Sequence, residues 1–226
     1  MKRYLLFLLL IFCQSSIYSQ VYNKKIIYQF QVEYTSKEGK QKKQMMYLVC
    51  HGKKWKIPPH KQFSIAWADE GRDVFAVNNS TGVIDNAEKI WIHPPRHDIY
   101  YVHEFTPFPE VRFPLKAGKQ WINNFGYVWS SEELNIPAGV KVKPHYTIES
   151  QYEEYSKILR RNITCYKIMA TIHNSFITSK WIGVFNEELG FIKMEFQNTD
   201  QSITIMTLED TYNWTQAKER FGLFAL

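Results

Sequence analysis

Hydrophobic and polar residues alternate along much of this chain, which is the pattern of strands with one buried face. The clearest example is "KIIYQFQVEY", where every second residue from Ile26 to Tyr34 is apolar and the residues between them are mostly polar. A period of two places alternate side chains on opposite faces of a strand. The turn-forming stretch "EGKQ" and the returning segment "KQMMYLVCH" follow directly. The N-terminal part therefore predicts a β-hairpin.

The second half of the chain repeats this pattern. In "NITCYKIMATI", one face carries Tyr166, Ile168, Ala170 and Ile172, and "FIKMEF" and "SITIMTL" alternate in the same way. Short runs separated by turn residues at regular intervals predict an all-β protein. We expect a curved antiparallel meander that forms a half-barrel, with a β-sandwich as the alternative. Little helix is expected, and only the tail "TYNWTQAKERFGLFAL" is compatible with a helical turn or two.

Turn and loop residues interrupt the pattern in the middle of the chain. The stretch "NNSTG" at 78–82 predicts a loop, since Asn, Ser and Gly favour turns. Pro94 and Pro95 cannot donate ladder hydrogen bonds, so a corner is expected there. The next segment, "IYYVHEF", is rich in strand-forming residues and predicts a return to extended structure.

The N-terminus has the layout of a secretory signal peptide. Lys2 and Arg3 precede the apolar run "LLFLLLIF", and Ser19 supplies a small residue at the expected cleavage point. We predict a signal peptide at 1–19 and a single β-rich domain at 20–226, exported to the periplasm or secreted. A lipoprotein alternative rests on Cys13, but bulky Phe12 stands where lipid attachment favours a small residue.

Charge is distributed unevenly along the chain. The formal net charge is +6, and residues 20–60 contain nine lysines against only two glutamates. Four of these lysines, Lys37, Lys40, Lys42 and Lys43, belong to the first predicted hairpin. They suggest either contact with an anionic surface or a solvated hairpin whose charge protects a sheet edge. Nucleic acid is not an expected partner, because no recognition motif is present.

Two cysteines, Cys50 and Cys165, remain after signal cleavage. In an oxidising compartment a bond between them would close a long loop, worth about 4–5 kcal/mol in the chain-entropy model. The alternative is two buried thiols that do not meet. The sequence leaves both interpretations open.

The stretch "KIWIHPPRHDIYYVHEF" concentrates the candidate chemistry. One interpretation is a rigid corner, with Trp91 packed beneath it and Arg96 paired to a carboxylate or a carbonyl. A second is a recognition edge for an anion or a sugar, built on Trp91, His93, Arg96, His97 and Tyr100. A third is a metal site in which His93 approaches His97. Common nucleophile, phosphate-binding and zinc motifs are absent from the sequence.

Several segments resemble a known group of proteins. "NITCYKIMATI", "SKWIGVFNEELGFIKMEF" and "SITIMTLED", together with "IWIHPPR" and "EFTPFPEVRFPLKAGKQW", resemble uncharacterised exported β-rich proteins of Bacteroidota. This resemblance implies a curved antiparallel sheet similar to the clam-like half-barrel of periplasmic lipoprotein carriers. It implies no reaction and assigns no role to individual residues.

Together these observations predict an exported envelope protein that binds rather than catalyses. Aromatic residues make up 16% of the chain, so the concave face of a curved sheet could hold an apolar or amphipathic ligand such as a lipid. No cofactor is expected. The alternatives are a module that binds another envelope protein and has a filled core, and a metal-dependent hydrolase based on His93 and His97. A pocket between the sheet and a covering loop would separate the first two hypotheses.

Overall fold

The computed structural model describes residues 20–22, 25–54, 60–69, 76–126 and 130–221, with backbone alone at 51–54 and 76–79. The predicted signal peptide, 1–19, lies outside the described residues. Within them, no helix is both long and apolar enough to cross a membrane.

The described residues form fourteen strands, one 3₁₀ helix and one α-helix, α1. Their bounds are β1 Ile26–Thr35, β2 Gln41–Lys54, β3 Lys61–Asp69, β4 Ala76–Asp85, β5 Lys89–Ile92, the 3₁₀ helix Asp98–Phe105, β6 Glu110–Arg112, β7 Gln120–Ile122, β8 Phe125–Gly126, β9 Lys141–Val142, β10 His145–Ser156, β11 Arg161–His173, β12 Thr178–Asn186, β13 Gly190–Gln197, β14 Ile203–Asn213 and α1 Trp214–Phe221.

Twelve of these strands form one antiparallel sheet in the order β6-β5-β4-β3-β2-β1-β14-β13-β12-β11-β10-β7, while β8 and β9 pair separately. Two meanders therefore run outward from the centre, where β1 pairs with β14 and Ile27 lies opposite Tyr212. The sheet is large and curved and does not close into a barrel. This confirms the predicted all-β curved meander over the sandwich alternative.

One side of this sheet, which we call the aromatic face, carries the main core. Phe30, Phe196 and Trp181 on this face are fully buried. The 3₁₀ helix covers it, because Tyr100 stacks on Trp67 with ring centroids 4.5 Å apart. The aromatic face is thus filled by side chains of the covering segment.

The opposite side, which we call the outer face, has a second and smaller core at one end. Ile27 and Ala217 are fully buried there, so α1 packs directly on the sheet. Phe221 of α1 contacts Tyr47 and Tyr212, with ring centroids 5.1 and 5.4 Å apart. This confirms the short C-terminal helix that the sequence allowed.

The two edges of the large sheet meet at a seam. β6 and β7 lie at opposite ends of the strand order but are joined by a short loop in the chain. The buried Glu110 carboxylate accepts hydrogen bonds from Arg112 Nε at 2.7 Å and from Asn123 Nδ2 at 2.8 Å. Lys119 Nζ donates to the carbonyls of Arg112, Phe113 and Pro114, at 2.9–3.1 Å. Side chains therefore tie together edges that the backbone ladder leaves apart.

The predicted loop "NNSTG" is wrong, because these residues belong to β4. Ser80 lies opposite Ser64 in the ladder with β3, and β5 pairs on the other side further along β4. The ladder with β3 satisfies much of the backbone here, so pairing overrides the local turn preference of Asn, Ser and Gly.

The predicted extended segment "IYYVHEF" is also wrong, because it forms the 3₁₀ helix. Asp98 has φ +54° and redirects the chain after the prolines. The helix begins with a hydrogen bond from Tyr100 N to the carbonyl of His97, at 3.1 Å. Residues three apart lie on the same side of such a helix, so Tyr100 and His103 both face the aromatic core. Side chains that face the core therefore recur every three residues here, instead of every two as in a strand.

Candidate functional site

Two of the five residues proposed as a recognition edge, His93 and Arg96, converge on a carboxylate that the sequence analysis did not select, and a third, Trp91, meets the His93 ring edge-on at 6.0 Å. Arg96 Nη1 donates to both oxygens of Glu104, at 3.3 and 3.1 Å. His93 Nε2 lies 3.4 Å from Glu104 Oε1, and its Nδ1 donates to the carbonyl of Pro94 at 3.2 Å. We call Trp91, His93, Arg96 and Glu104 the corner cluster.

Aromatic rings form one wall of the corner cluster. His60 stacks on Trp91, with ring centroids 5.1 Å apart and an angle of 17°. Phe108 lies 4.7 Å from the His93 ring and 5.7 Å from the Trp91 ring. Burial, reinforced by the nearby charges of Lys89 and His93, lowers the pKa of His60.

The other two predicted residues lie elsewhere. His97 is exposed at the start of the 3₁₀ helix. Tyr100 is 1% exposed, belongs to the aromatic core and donates its hydroxyl to Gln44 Oε1 at 2.9 Å. Burial raises the pKa of Tyr100 well above its ordinary value, and Asp98 and Tyr34 add to the effect. A single edge containing all five residues is therefore not formed.

Charge inside the corner cluster is largely balanced. Burial alone would raise the pKa of Glu104, but the hydrogen bonds and charges of His93 and Arg96 outweigh it and leave that pKa below its ordinary value. Glu104 is therefore an ionised carboxylate whose two oxygens are both used by Arg96. The paired Arg96 agrees with the rigid-corner interpretation, and the pairing opposes binding of an external anion there.

His103 is a second residue whose role the sequence did not reveal. It is fully buried and stacks on Phe196, with ring centroids 4.2 Å apart. Nδ1 donates to the carbonyl of Pro95 and Nε2 accepts from Thr204 Oγ1, both at 2.9 Å. Burial lowers the pKa of His103 to about 4, against a smaller raising effect of the Pro95 hydrogen bond. The neutral His103 ring thus joins Pro95 of the corner to Thr204 of β14. In the sequence, only the three-residue spacing between Tyr100 and His103 indicated that both side chains face the core.

In the part of the chain that the structure describes, there is neither a metal-binding cluster nor a disulfide bond. Among the described residues, no group of three or more His, Cys, Asp or Glu side chains is placed to hold a metal ion. Cys50 and Cys165 are both buried free thiols, so the structure does not contain the bond that the sequence left open. Burial raises the pKa of both thiols, that of Cys165 to about 12 with Glu154 and Glu153 adding to the effect.

The lysine-rich hairpin forms as predicted, and two of its four lysines have acidic partners. Lys43 Nζ lies 2.8 Å from Glu33 Oε1, and Lys42 Nζ lies 3.5 Å from Asp98 Oδ2. Lys37 and Lys40 are exposed at the turn. The latter two are the lysines best placed for the predicted contact with an anionic surface.

An open groove lies against the outer face of the second meander, and we call it the hairpin groove. Strand alternation orients its walls, because Trp181 points into the core while its neighbour Ile182 lines the groove. The volume is about 630 Å³, within the range of small-molecule sites. Its lining is Tyr152, Glu154, Tyr155, Ser156, Lys157, Ile158, Ile163, Lys167, Ile182, Val184, Leu189, Ile192, Lys193, Glu195, Thr207, Leu208 and Glu209.

The groove combines aliphatic and charged side chains. Seven of its lining residues are Ile, Val or Leu, three are lysines and three are glutamates. Lys167 Nζ is paired with Glu149 Oε2 at 3.0 Å. Burial, with the nearby carboxylate of Glu154, raises the pKa of Tyr152 to about 12. The groove can accommodate an apolar chain and place a polar group at its rim.

Comparison with known proteins gives similarities of fold. No family model matches the chain, and no curated protein matches it. Solved structures that match include a protein described as exported, with a YmcC-like fold, from Bacteroides fragilis, at 9% identity and a TM-score of 0.40, covering 84% of this chain and 97% of that one. The lipoprotein YmcC of Escherichia coli, described as hypothetical, matches at 11% identity and a TM-score of 0.37, covering 80% and 84%.

A further solved structure, described as a lipoprotein of Parabacteroides distasonis, matches at 8% identity and a TM-score of 0.34, covering 85% of this chain and 99% of that one. Exported proteins of the kind that the sequence resembles thus occur among the structural neighbours. The low identities and TM-scores carry no inference about activity.

Proposed function

We propose that this chain is an exported envelope protein that binds a single-chain amphipathic ligand in the hairpin groove without transforming it. The observation that carries the proposal is the groove itself, where aliphatic residues such as Ile182 and Leu189 lie beside Lys157, Lys167 and Lys193. An aliphatic chain gains about 25 cal/mol for each Å² removed from water. Glu154, Glu195 and Glu209 line the groove too, and Lys167 is paired with Glu149, so Lys157 and Lys193 are the lysines that can complement an acidic head group at the rim.

The location differs from the one expected from the sequence. The aromatic face was the predicted ligand surface, but Phe63, Trp181 and Phe196 on that face are each at most 1% exposed. A ligand on that face would have to displace packed side chains. The groove on the outer face requires no such displacement, because it is already open.

The first test is native mass spectrometry of the protein recovered from the envelope fraction of its own cells. We expect a bound mass of lipid size that is released on denaturation. The site is then mapped by titration with a fluorescent fatty acid. Ile182→Lys places a charge in the groove, and we expect at least a tenfold loss of affinity.

Ile205→Lys is the matched control. Ile205 is half-buried on the same outer face but does not line the groove, so its replacement makes the same chemical change outside the proposed site. We expect affinity within about twofold of the wild type. Equal losses in both variants, or equal retention, would contradict binding in the groove.

A second candidate, a module that binds another envelope protein, is favoured by the filled aromatic face. Tyr155 is 63% exposed and Tyr152 is 36% exposed near the tip of the β10–β11 hairpin. Exposed tyrosines are common anchors at protein interfaces. A clean apoprotein mass, together with no binding of the fluorescent fatty acid, would favour this candidate over the small ligand.

A further inference from the structure

A second open pocket lies at the other end of the β10–β11 hairpin from the groove. Its volume is about 580 Å³. We call it the basic pocket, and its lining is Asn124, Lys141, Lys143, His145, Thr171, Ile172, His173 and Asn174. Two lysines and two histidines are present, and no lining residue is acidic.

Strand alternation fixes the direction of the basic side chains. Val142 is 1% exposed and packs into a separate small core, so Lys141 and Lys143 on either side of it point outward. Ile172 is 2% exposed in the same core, which turns its neighbour His173 to the outside in the same way. The pocket therefore rests on an ordered apolar base.

Local hydrogen bonds orient two further donors. Asn174 Oδ1 accepts from the backbone N–H groups of Phe176 and Ile177, at 2.9 and 2.8 Å, so the Nδ2 amide group is the end available to a ligand. His173 Nδ1 lies 3.0 Å from Thr178 Oγ1, which leaves Nε2 as the ring nitrogen that can donate into the pocket. The available groups are thus mainly donors.

Positive charge in the pocket is not neutralised from within. Among the ion pairs of the described residues, none involves Lys141 or Lys143. Lysine ammonium groups, imidazole N–H and amide N–H are the groups that bind oxyanions. The pocket is also much larger than one water molecule, so it has room for the polar remainder of a ligand.

We propose that the basic pocket binds the phosphoryl group of a phosphate ester, with Lys141, Lys143 and the Asn174 amide as its main contacts. The ester is either a soluble molecule or the head group of an anionic phospholipid. The site is separate from the hairpin groove, and the proposal does not depend on the function proposed for that groove.

The test measures binding of glycerol phosphate by calorimetry and of phosphatidylcholine vesicles, with and without phosphatidylglycerol, by sedimentation. Asn174→Asp is the decisive variant. It keeps the oxygen that accepts from Phe176 and Ile177 but replaces the donor by a second negative oxygen. We expect unchanged thermal unfolding and at least a tenfold loss of affinity for the anion that the wild type binds.

The double variant Lys141→Ala/Lys143→Ala is expected to lose at least tenfold as well, and binding should weaken with added salt. Lys37→Ala/Lys40→Ala is the matched control, since it removes two exposed lysines from the first hairpin. Binding of glycerol phosphate by the wild type identifies a soluble ester, and binding only to phosphatidylglycerol vesicles identifies a lipid head group.

Three results would overturn the proposal. One is the absence of binding to both probes by the wild type. Another is wild-type affinity in Asn174→Asp. The last is vesicle binding that the Lys37/Lys40 variant loses and the Lys141/Lys143 variant keeps, because that result assigns the anionic contact to the first hairpin.

Discussion

The corner cluster and the basic pocket both combine histidine with a basic side chain but distribute their charge in opposite ways. In the corner cluster, Arg96 and His93 surround the buried carboxylate of Glu104, and the group is largely neutral. In the basic pocket, Lys141 and Lys143 face solvent without a carboxylate in the lining. The first arrangement stabilises a fold, whereas the second leaves its donors for a ligand.

The difference shows what identifies a binding site in such a protein. Histidine, arginine and tyrosine crowded around two prolines drew attention in the sequence, yet Arg96, Tyr100 and His103 are paired with other groups of the protein. The basic pocket is spread over three separate segments, and its residues look ordinary in each. Charge left unbalanced after folding is therefore more informative than the density of reactive residue types.

The largest expected effect concerns acid stability on the corner side. Since burial holds the pKa of His103 at about 4, unfolded chains bind a proton below about pH 6.5 that the folded protein does not. The unfolding free energy is therefore unaffected by His103 titration above pH 6.5. It decreases by about 3 kcal/mol in all as the pH falls from 6.5 towards 4. Urea unfolding at pH 7, 6 and 5 measures it, with about 2 kcal/mol lost by pH 5.

His103→Gln removes the titrating ring, so its unfolding free energy should change much less over that range. His173→Gln makes the same substitution at an exposed site in the basic pocket, and its pH dependence should match the wild type. If the unfolding free energy of His103→Gln falls with pH as steeply as that of the wild type, another group causes the acid loss. The contrast between the corner cluster and the basic pocket then fails.

The next effect concerns the ion pair of the corner cluster. Glu104→Gln leaves the Arg96 guanidinium, whose side chain is 35% exposed, without its anion. We expect the unfolding free energy to fall by about 2 kcal/mol, less than for a fully buried pair because water reaches Arg96. Glu187→Gln makes the same change at an exposed position and should have little effect. Equal values for the two variants would show that the corner charges are not structural.

The smallest effect is expected in the basic pocket. Lys141→Ala/Lys143→Ala should change the unfolding free energy by no more than about 0.5 kcal/mol, because both side chains are exposed and have no acidic partner among the described residues. Urea unfolding measures this directly. A loss similar to that of Glu104→Gln would mean that these lysines hold the fold together, and the comparison would fail.

Most of the sheet could be predicted from the sequence because local alternation and burial agree there. The face that carries Ile168, Ala170 and Ile172 in β11 is buried as the pattern indicated. In β4 and the 3₁₀ helix, however, packing and pairing partners decide the outcome. β3 pairs with the Asn-rich segment, and the aromatic face draws Tyr100 and His103 to one side. These partners lie outside the short stretches whose composition suggested a loop and a strand.

The sites were less predictable for the same reason. Trp91, His93 and Arg96 do lie together, but the predicted extended segment would hold Glu104 roughly 26 Å from Arg96, and the 3₁₀ helix brings the two together. The basic pocket depends on the register that places His145 opposite Thr171. This register depends on the turn that joins β10 to β11 and on the irregularity between Ile148 and Ser150, and the sequence pattern specified neither.

The pairing of β1 with β14 has a consequence for the order in which this molecule can fold. The ladder at the centre of the sheet joins the first described strand to the last. Contacts of such high sequence separation form slowly, since the long intervening chain must first be closed. The two meanders can begin on their own, but the sheet is completed only when β14 is available. The N-terminal meander can therefore form early, but the β14 side of β1 stays unpaired until β14 has been synthesised.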